Sequence, residues 1–269
     1  MDIREKPIGV FDSGLGGLTV VKEILSHLPN ENIIFFGDTG RVPYGGRSKE
    51  TIIQYVKDDM EFLLSHDVKA VVIACNTADS MAKEEVEKLY NVPVVGVVEP
   101  AAKKAAATSK NGRIGVIGTK ATVRSGAYVK AISSFSPSAE VFAAACPLLV
   151  PLVEEGRFRK GDPVPEIVLR EYLEPLKEKN VDTLILGCTH YPLLHDIVSE
   201  IMPDVNIICS GPASTEALIA TLERDSLLSR SDNAGRIRYF VSDSPDSFAR
   251  NGSIFIGREI HGSVSLVNF

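Results

Sequence analysis

Two of the four cysteines stand in matching surroundings that could support proton transfer. Cys75 opens the segment CNT, and Cys188 opens the segment CTH. Each segment follows a short Val/Ile/Leu-rich run that is typical of a buried strand. A thiol at the turn from a strand into a helix lies near backbone N–H groups and the positive end of the helix dipole, which favours its thiolate. Two such thiols on opposite sides of one carbon atom would suit the transfer of a proton from one face of that carbon to the other.

The alternative is that these cysteines only pack in the core, as free cysteines usually do. The matching positions of Cys75 and Cys188, each beside polar residues, favour the catalytic interpretation. Cys146 lies in an alanine-rich segment and Cys209 lies inside an apolar run, so both are predicted to be structural. A metal site built from Cys75, Cys188 and His190 is conceivable, but no residues have the spacing of zinc ligands, and we expect no metal.

The first predicted strand is followed by the glycine-rich segment DSGLGG. Its glycines let the backbone approach a ligand closely and expose N–H groups at a helix start, which makes an anion site. Gly14 and Gly16, with Asp38 about 20 residues further on, could also form a dinucleotide-binding motif. The third glycine of that motif would fall on Thr19, however, and Asp12 would put a carboxylate beside the pyrophosphate. NAD binding is therefore the alternative, and Asp12 is better placed near an ammonium group or a proton-transferring thiol.

Three further stretches could bring polar groups to the same place. The loop PYGGR at residues 43–47 is rich in N–H donors and is typical of a binding loop, although a plain surface turn fits it equally well. His190 follows the second cysteine closely enough to act as its acid, base or orienting group. Glu154 or Glu155 could supply a carboxylate, and the sequence does not say which of the two points inward. His195 is predicted on the outward part of the following helix.

The elements that would position these residues alternate along the chain. Strands are predicted at Pro7–Phe11, Asn32–Phe36, Ala70–Ala74, Val94–Val98, Arg113–Ile117, Thr183–Leu186, Ile207–Cys209 and Ile237–Val241. Helices are predicted at Leu18–Leu28, Glu50–Ser65, Asp79–Tyr90 and Ile167–Lys179. The strands are apolar on both faces, as strands between two helical layers must be. This alternation predicts an α/β fold with doubly wound parallel sheets.

A weak internal repeat relates the two cysteine segments. Residues 8–13, 70–77 and 100–101 have counterparts, in the same order, at 114–119, 183–190 and 212–213, although chance similarity between α/β units is the alternative. We therefore predict two pseudo-symmetric domains, one formed by residues 1–99 with 210–269 and one by residues 100–209. Open α/β sheets bind ligands at the C-terminal ends of their strands, so the crevice between the domains is the predicted active site. Thr119, the counterpart of Ser13, is a candidate contact there.

The composition disfavours several other classes. The 269 residues include 29 Lys plus Arg and 35 Asp plus Glu, a net charge of −6, so no nucleic-acid-binding face is expected. No segment has the pattern of a signal peptide or a transmembrane helix, and we expect a cytoplasmic protein with reduced cysteines. A non-catalytic, two-lobed binding protein for an acidic ligand is a further alternative, disfavoured by the missing signal segment and the reactive cysteines.

Five segments together carry a family resemblance. They are DSGLGGLT (residues 12–19), GDT (37–39), PYG (43–45), ACNT (74–77) and LGCTHYP (186–192). In order and spacing they resemble the aspartate/glutamate racemase family, and within it the bacterial glutamate racemases. The resemblance implies an isomerase that interconverts L- and D-glutamate without a cofactor and supplies D-glutamate for peptidoglycan synthesis. It also implies a homodimer that binds neither nucleic acid nor membrane.

The resemblance further implies a role for each site residue. Cys75 and Cys188 would be the two proton donors and acceptors. Asp12 would assist Cys75, and His190 with Glu154 would assist Cys188. The residues expected to hold the substrate are Asp12, Ser13, Tyr44, Gly45, Asn76, Thr77, Thr119, Thr189 and His190.

Overall fold

The computed structural model describes residues 2–260 and 264–268, and within these ranges the chain forms two parallel sheets flanked by helices. The strands, numbered along the chain, are β1 (Ile8–Asp12), β2 (Ile33–Gly37), β3 (Ala70–Ile73), β4 (Val94–Val95), β5 (Arg113–Gly118), β6 (Glu140–Ala145), β7 (Thr183–Gly187), β8 (Asn206–Cys209), β9 (Ile237–Val241) and β10 (Val264–Leu266). The helices are α1 (Leu18–His27), α2 (Lys49–Ser65), α3 (Asn76–Leu89), α4 (Val98–Thr108), α5 (Lys120–Ser125), α6 (Ala127–Phe135), α7 (Leu149–Glu154), α8 (Pro163–Glu178), α9 (His195–Ile201), α10 (Ser210–Arg224) and α11 (Pro245–Ile256). Short 3₁₀ turns lie at Ile3–Glu5, Tyr44–Gly46 and Tyr191–Leu194.

The two sheets share a strand order. The first sheet runs β10-β9-β2-β1-β3-β4 and the second runs β6-β5-β7-β8, with parallel pairing between neighbours. The order β2-β1-β3-β4 therefore recurs as β6-β5-β7-β8. In this correspondence β1 matches β5 and β3 matches β7, which is the pairing that the internal sequence repeat predicts.

Each sheet is covered by helices on both faces. In β1 the side chain of Val10 packs in one apolar cluster with Val21 of α1, and neighbouring Phe11 packs in another with Val56 of α2. Successive strand residues point to opposite faces, so a strand buried on both sides must be apolar throughout. The second sheet repeats the arrangement, with α8 and α9 on one face and α4 and α6 on the other. The predicted doubly wound α/β fold is confirmed.

Most predicted elements are present, and the differences have local causes. The predicted strand Val94–Val98 is shorter in the structure, because Asp79 accepts the backbone N–H groups of Val97 and Val98 at 2.7 and 2.6 Å and so caps α4 at that point. The sequence analysis missed β6, an edge strand whose side chains are exposed or half-buried and therefore lack a continuous apolar pattern. It also missed β10 and the helices α4, α5, α6, α7, α10 and α11.

The first sheet takes its strands from both ends of the chain, and the second takes them from the middle. The predicted domain boundaries at residues 99 and 209 stay a prediction, and residues 1, 261–263 and 269 of the first predicted domain lie outside the described residues. Among the helices of the described ranges, none combines the length and the apolar character that crossing a bilayer requires.

Candidate active site

A cavity of about 320 Å³ lies where the C-terminal ends of strands from both sheets meet, and both Cys75 and Cys188 line it. Its wall also contains the other predicted site residues except Asp12, namely Ser13, Tyr44, Gly45, Asn76, Thr77, Thr119, Glu154, Thr189 and His190. Two wider surface depressions, of about 480 and 610 Å³, contain neither of these cysteines. The cavity between the sheets is therefore the candidate active site.

Cys75 lies between the end of β3 and the start of α3 and is 5% exposed. Its thiol donates to the hydroxyl oxygen of Ser13 over 3.5 Å. Burial, together with the negative charge of Asp12, raises the pKa of the Cys75 thiol to about 12. The backbone N–H of Ala78 at the start of α3 lowers the pKa of Cys75, as expected from the sequence, but the cost of burying the charged form outweighs it.

Asp12 ends β1 and is fully buried behind the glycine-rich segment. Its Oδ2 atom accepts the backbone N–H of Gly14 at 3.0 Å, and its Oδ1 atom accepts the hydroxyl of Thr189 at 3.5 Å. Burial raises the pKa of the Asp12 carboxyl, and the charge of His190 opposes that rise. Asp12 thus lies close to both cysteine segments without lining the cavity itself.

Cys188 follows β7 of the second sheet, lines the same cavity and has two successive partners. Its Sγ atom lies 3.9 Å from Nδ1 of His190, and Nε2 of His190 lies 3.0 Å from Oε1 of Glu154. Burial disfavours a charged imidazole, but the hydrogen bonds to Cys188 and Glu154 outweigh it and raise the pKa of His190 to about 10. His190 is therefore an imidazolium at neutral pH, and it places a positive charge beside the Cys188 sulfur. Of the two candidate carboxylates, Glu154 lines the cavity and contacts His190.

The glycine-rich segment after β1 is in direct contact with the cysteine segment after β7. A Cβ atom on Gly16 would lie 2.2 Å from Oγ1 of Thr189 and 2.5 Å from Nδ1 of His190. A side chain of any size at Gly16 would displace His190, the partner of Cys188. Gly16 is therefore required for close contact between segments of the two sheets, which explains the glycine without a dinucleotide.

Hydroxyl and amide groups line the floor of the cavity and join the domains. Thr77 lies 2.9 Å from Thr119 through their Oγ1 atoms, and both also contact the hydroxyl of Thr122. The buried hydroxyl of Tyr128 donates to Oδ1 of Asn76 at 2.6 Å. Such donors can hold carboxylate oxygens, and the first residues of α3, Asn76 and Thr77, line the same cavity.

Tyr44 and Gly45 reach the cavity on a loop, here named the substrate loop and defined as residues 42–45, all of which line the cavity. The hydroxyl of Tyr44 points away from the cavity, toward Asp38 and Asp59. The carboxyl group of Asp38 accepts the hydroxyl of Tyr44, so Asp38 does not face a nucleotide site as a ribose-binding acid would.

The sequence analysis missed the apolar side of the cavity. Val42, Pro147, Val150, Pro151 and Tyr191 line it, together with Lys120 and Cys146. Cys146 is fully buried, as a packing residue should be, and Cys209 is half-buried. Burial raises the pKa of Cys146 to about 12 and that of Cys209 to about 11. His195 begins α9 with its side chain 46% exposed, as predicted.

A possible metal site has no support in the geometry. In the part of the chain that the structure describes, no group of three or more His, Cys, Asp or Glu side chains is arranged to hold an ion. Cys188 and His190 instead contact each other directly.

Comparison with known proteins shows which protein family the chain belongs to. The family model described as Asp/Glu/Hydantoin racemase matches residues 17–218. The chain belongs to this family of racemases, which are isomerases, and the resemblance predicted from its sequence motifs is confirmed.

Within the family, the curated relatives with high similarity are glutamate racemases. The enzyme of Geobacter metallireducens is 47% identical over 95% of this chain and 94% of its own length. That of Neisseria meningitidis is 46% identical over the same shares. Among solved structures, the glutamate racemase of Francisella tularensis in complex with D-glutamate has a TM-score of 0.91 at 38% identity, covering 98% of both chains. The Thermus thermophilus enzyme in complex with β-chloro-D-alanine has a TM-score of 0.90 at 41% identity, covering 99% of this chain and 98% of its own.

Proposed function

We propose that the protein interconverts L- and D-glutamate by moving the α-proton between two cysteines, Cys75 and Cys188, without a cofactor. The observation that carries this proposal is the position of the two cysteines. They follow β3 and β7, which are equivalent strands of the two sheets, and both line one cavity. The high similarity to curated glutamate racemases supports glutamate as the substrate.

The electrostatics of the site make the two cysteines unequal. The Cys75 thiol is protonated at neutral pH because burial and the nearby Asp12 charge disfavour its thiolate. The imidazolium of His190 stabilises negative charge on the Cys188 sulfur. A two-base mechanism requires one thiolate and one thiol when the substrate binds, and which cysteine holds the proton decides which enantiomer reacts.

The proposed reaction conserves protons. The Cys188 thiolate removes the α-proton from one face of the bound amino acid and becomes a thiol. The electron pair left on Cα is delocalised into the α-carboxylate, and Cys75 then donates its proton to the opposite face and becomes a thiolate. Inversion follows because the proton leaves one face and a different proton arrives at the other. The opposite enantiomer reacts through the same steps in reverse.

The α-carbon of an amino acid is a very weak acid, so the site must stabilise the carbanion as it forms. Hydroxyl groups of Ser13, Thr77, Thr119 and Thr189 line the cavity. Fixed donors aimed at a carboxylate that gains charge are a large source of rate enhancement. The small cavity also suits a short dicarboxylic amino acid, since ligand pockets generally begin at about 300 Å³.

The role of the product follows from the same proposal. D-glutamate made in the cytoplasm would supply peptidoglycan synthesis, as the family resemblance implies. A homodimer is the expected assembly, and analytical ultracentrifugation of the purified chain tests it directly.

The test of the reaction uses pure L- or D-glutamate in D₂O with no added cofactor. We expect the optical rotation to decay to zero from either enantiomer while deuterium appears at Cα. Aspartate, assayed in parallel, distinguishes the nearest alternative substrate. If neither glutamate enantiomer loses optical purity, the proposed function is wrong.

Cysteine variants test the two-base assignment. Cys75→Ser and Cys188→Ser should each lower the racemisation rate at least about 100-fold, because one positioned acid or base contributes that much and a single base cannot serve both faces. Cys209→Ser, outside the cavity wall, is the matched control and should racemise at the unaltered rate. Full activity in either of the first two variants would contradict the assignment.

A further inference from the structure

The residues that line the candidate cavity differ in their exposure to solvent. The two cysteines lie among the buried ones, with Cys75 5% and Cys188 6% exposed. The exposed lining residues, here named the mouth, are Val42, Pro43, Lys120, Pro147, Pro151 and Glu154. A carbon atom that exchanges a proton with both sulfurs must lie beside the buried residues. A side chain on that carbon therefore extends toward the mouth.

Two of the mouth residues carry a charge, and one of them already has a partner. Glu154 contacts His190 at 3.0 Å, and the opposite charges of this pair offset each other. The side chains of Val42 and of the three prolines are apolar and cannot hold a charged group. Within residues 2–260 and 264–268, the Lys120 side chain forms neither an ion pair nor a hydrogen bond. Its ammonium group is therefore available to a ligand in the cavity.

The stability of the local helix does not account for a lysine at this position. Lys120 is the first residue of α5, and the N-cap residue Thr119 accepts the backbone N–H of Thr122 at 3.2 Å. A positive side chain in the first turn of a helix is unfavourable, because it lies near the positive end of the helix dipole. The protein as a whole carries a net charge of −6, which repels an anionic ligand. A local positive charge beside the cavity fits recognition of an anion better than support of the fold.

We propose that Lys120 is a specificity-determining residue that attracts and holds the side-chain carboxylate of an acidic amino acid while the α-carbon lies between the two cysteines. This inference rests on the proposed function for the position of the α-carbon. The buried donors beside the cysteines, such as Thr77 and Thr189, are then left for the α-carboxylate. A lysine has a flexible stem and three donor hydrogens, so it can reach a carboxylate at the exposed edge of a cavity. The ligand that this charge discriminates against is the corresponding neutral amide.

Lys120→Met tests the charge, because methionine keeps most of the length of the side chain and removes the ammonium group. We expect KM for glutamate to rise about 3- to 10-fold, the effect of one lost charge contact at a solvated site. The turnover number kcat should change by less than about twofold, because the cysteines and their partners are unaltered. The variant should not unfold at a lower temperature than the unaltered protein, since the removed charge opposes the dipole of α5.

Two further variants are the controls. Lys120→Arg keeps the positive charge, and its KM should stay within about twofold of that of the unaltered protein. Lys49→Met removes the same charge from an exposed residue outside the cavity wall, so its KM should not change. High ionic strength should reduce the difference between Lys120→Met and the unaltered protein, because salt screens an exposed charge contact.

Calorimetric titration with glutamate and with glutamine separates recognition of the charge from a general disturbance of the site. Glutamine has nearly the same shape as glutamate, but its side chain is neutral. Lys120→Met should lower the preference for glutamate over glutamine by the factor that it adds to KM. An equal loss of binding for both ligands, or an unchanged KM in Lys120→Met, overturns the inference. If the unaltered protein binds glutamate without racemising it, the proposed function is wrong, and the ratio of the two binding constants still decides the role of Lys120.

Discussion

At the scale of single residues, the two cysteines differ in surroundings more than in position. Cys75 has a neutral hydroxyl partner and a negative carboxylate nearby, whereas Cys188 has a positive imidazolium. The pKa of His190 is raised from 6.5 to about 10, so its contribution to folding stability is complete below pH 6.5 and is lost as the pH rises through about 10. Activity that depends on this charge should therefore fall at alkaline pH.

Glu154→Gln should move that alkaline fall to lower pH. The substitution removes a negative charge from the 3.0 Å contact with His190, so the imidazolium loses its proton more easily. The Glu154 side chain is 45% exposed and solvent screens the pair, so we expect a shift of less than about one pH unit. The measurement is kcat/KM against pH in both reaction directions. Glu155→Gln is the control, and an equal shift there would argue against a specific pair.

At the scale of elements, the glycine-rich segment before α1 and the turn after β7 form one contact. Gly16 is small enough to let Thr189 and His190 approach the backbone of the first domain. The position of His190 beside Cys188 therefore depends on Gly16, which precedes α1 next to the other sheet.

Gly16→Ala should disturb both activity and stability. The added methyl group would overlap Thr189 and His190, which must move and carry Cys188 with them. We expect at least about a tenfold loss of kcat/KM and a destabilisation of about 1 to 3 kcal/mol, as for other overpacked sites. Thermal unfolding and racemisation rates measure the two effects. Gly46→Ala, whose added carbon would meet nothing within 4 Å, should unfold at the temperature of the unaltered protein.

At the scale of the whole molecule, the two sheets and their helices are joined through the site itself. The hydroxyls of Thr77 and Thr119 meet at 2.9 Å, and Tyr128 of α6 donates to Asn76 of α3 at 2.6 Å. Asn76, Thr77 and Thr119 line the cavity, so the relative position of these elements and the geometry of the site are set together.

Tyr128→Phe tests this coupling. Loss of the hydroxyl leaves Oδ1 of Asn76 buried without its donor, which should cost about 1 to 3 kcal/mol of stability. KM should rise as well, because Asn76 begins the helix that faces the substrate. Calorimetric unfolding and steady-state kinetics give the two numbers. Tyr90→Phe, which removes a half-buried hydroxyl at the other end of α3, should show neither effect, and a neutral Tyr128→Phe would disprove the coupling.

The sequence predicted those strands well that are buried on both faces. Strands such as β1 and β7 have continuous apolar runs because both faces are covered, and those runs are visible in the sequence. The edge strand β6 is covered less completely and carries no such signal. The internal repeat added the equivalence of β3 and β7, which no single strand pattern provides.

The sequence predicted the cavity residues that follow strand ends. It missed most of those that lie elsewhere. Cys75, Thr119 and Cys188 reach the cavity because strand ends converge at one edge of each sheet. Val150 and Pro151 were missed because apolar residues on a short helix look like ordinary core. The partner of Tyr44 on α2 was missed because side-chain contacts between distant elements leave no local pattern. The raised pKa of Cys75 could not be predicted from the sequence because burial is a property of the folded chain.

The shared order of β2-β1-β3-β4 and β6-β5-β7-β8 has an evolutionary meaning. Duplication and fusion of one ancestral half-gene would leave this order, and before fusion a homodimer of halves would have carried two identical thiols at its symmetry axis. In the present chain the two thiols have different neighbours: Asp12 and Ser13 lie beside Cys75, and His190 with Glu154 lies beside Cys188. Two identical halves would have given both thiols the same neighbours.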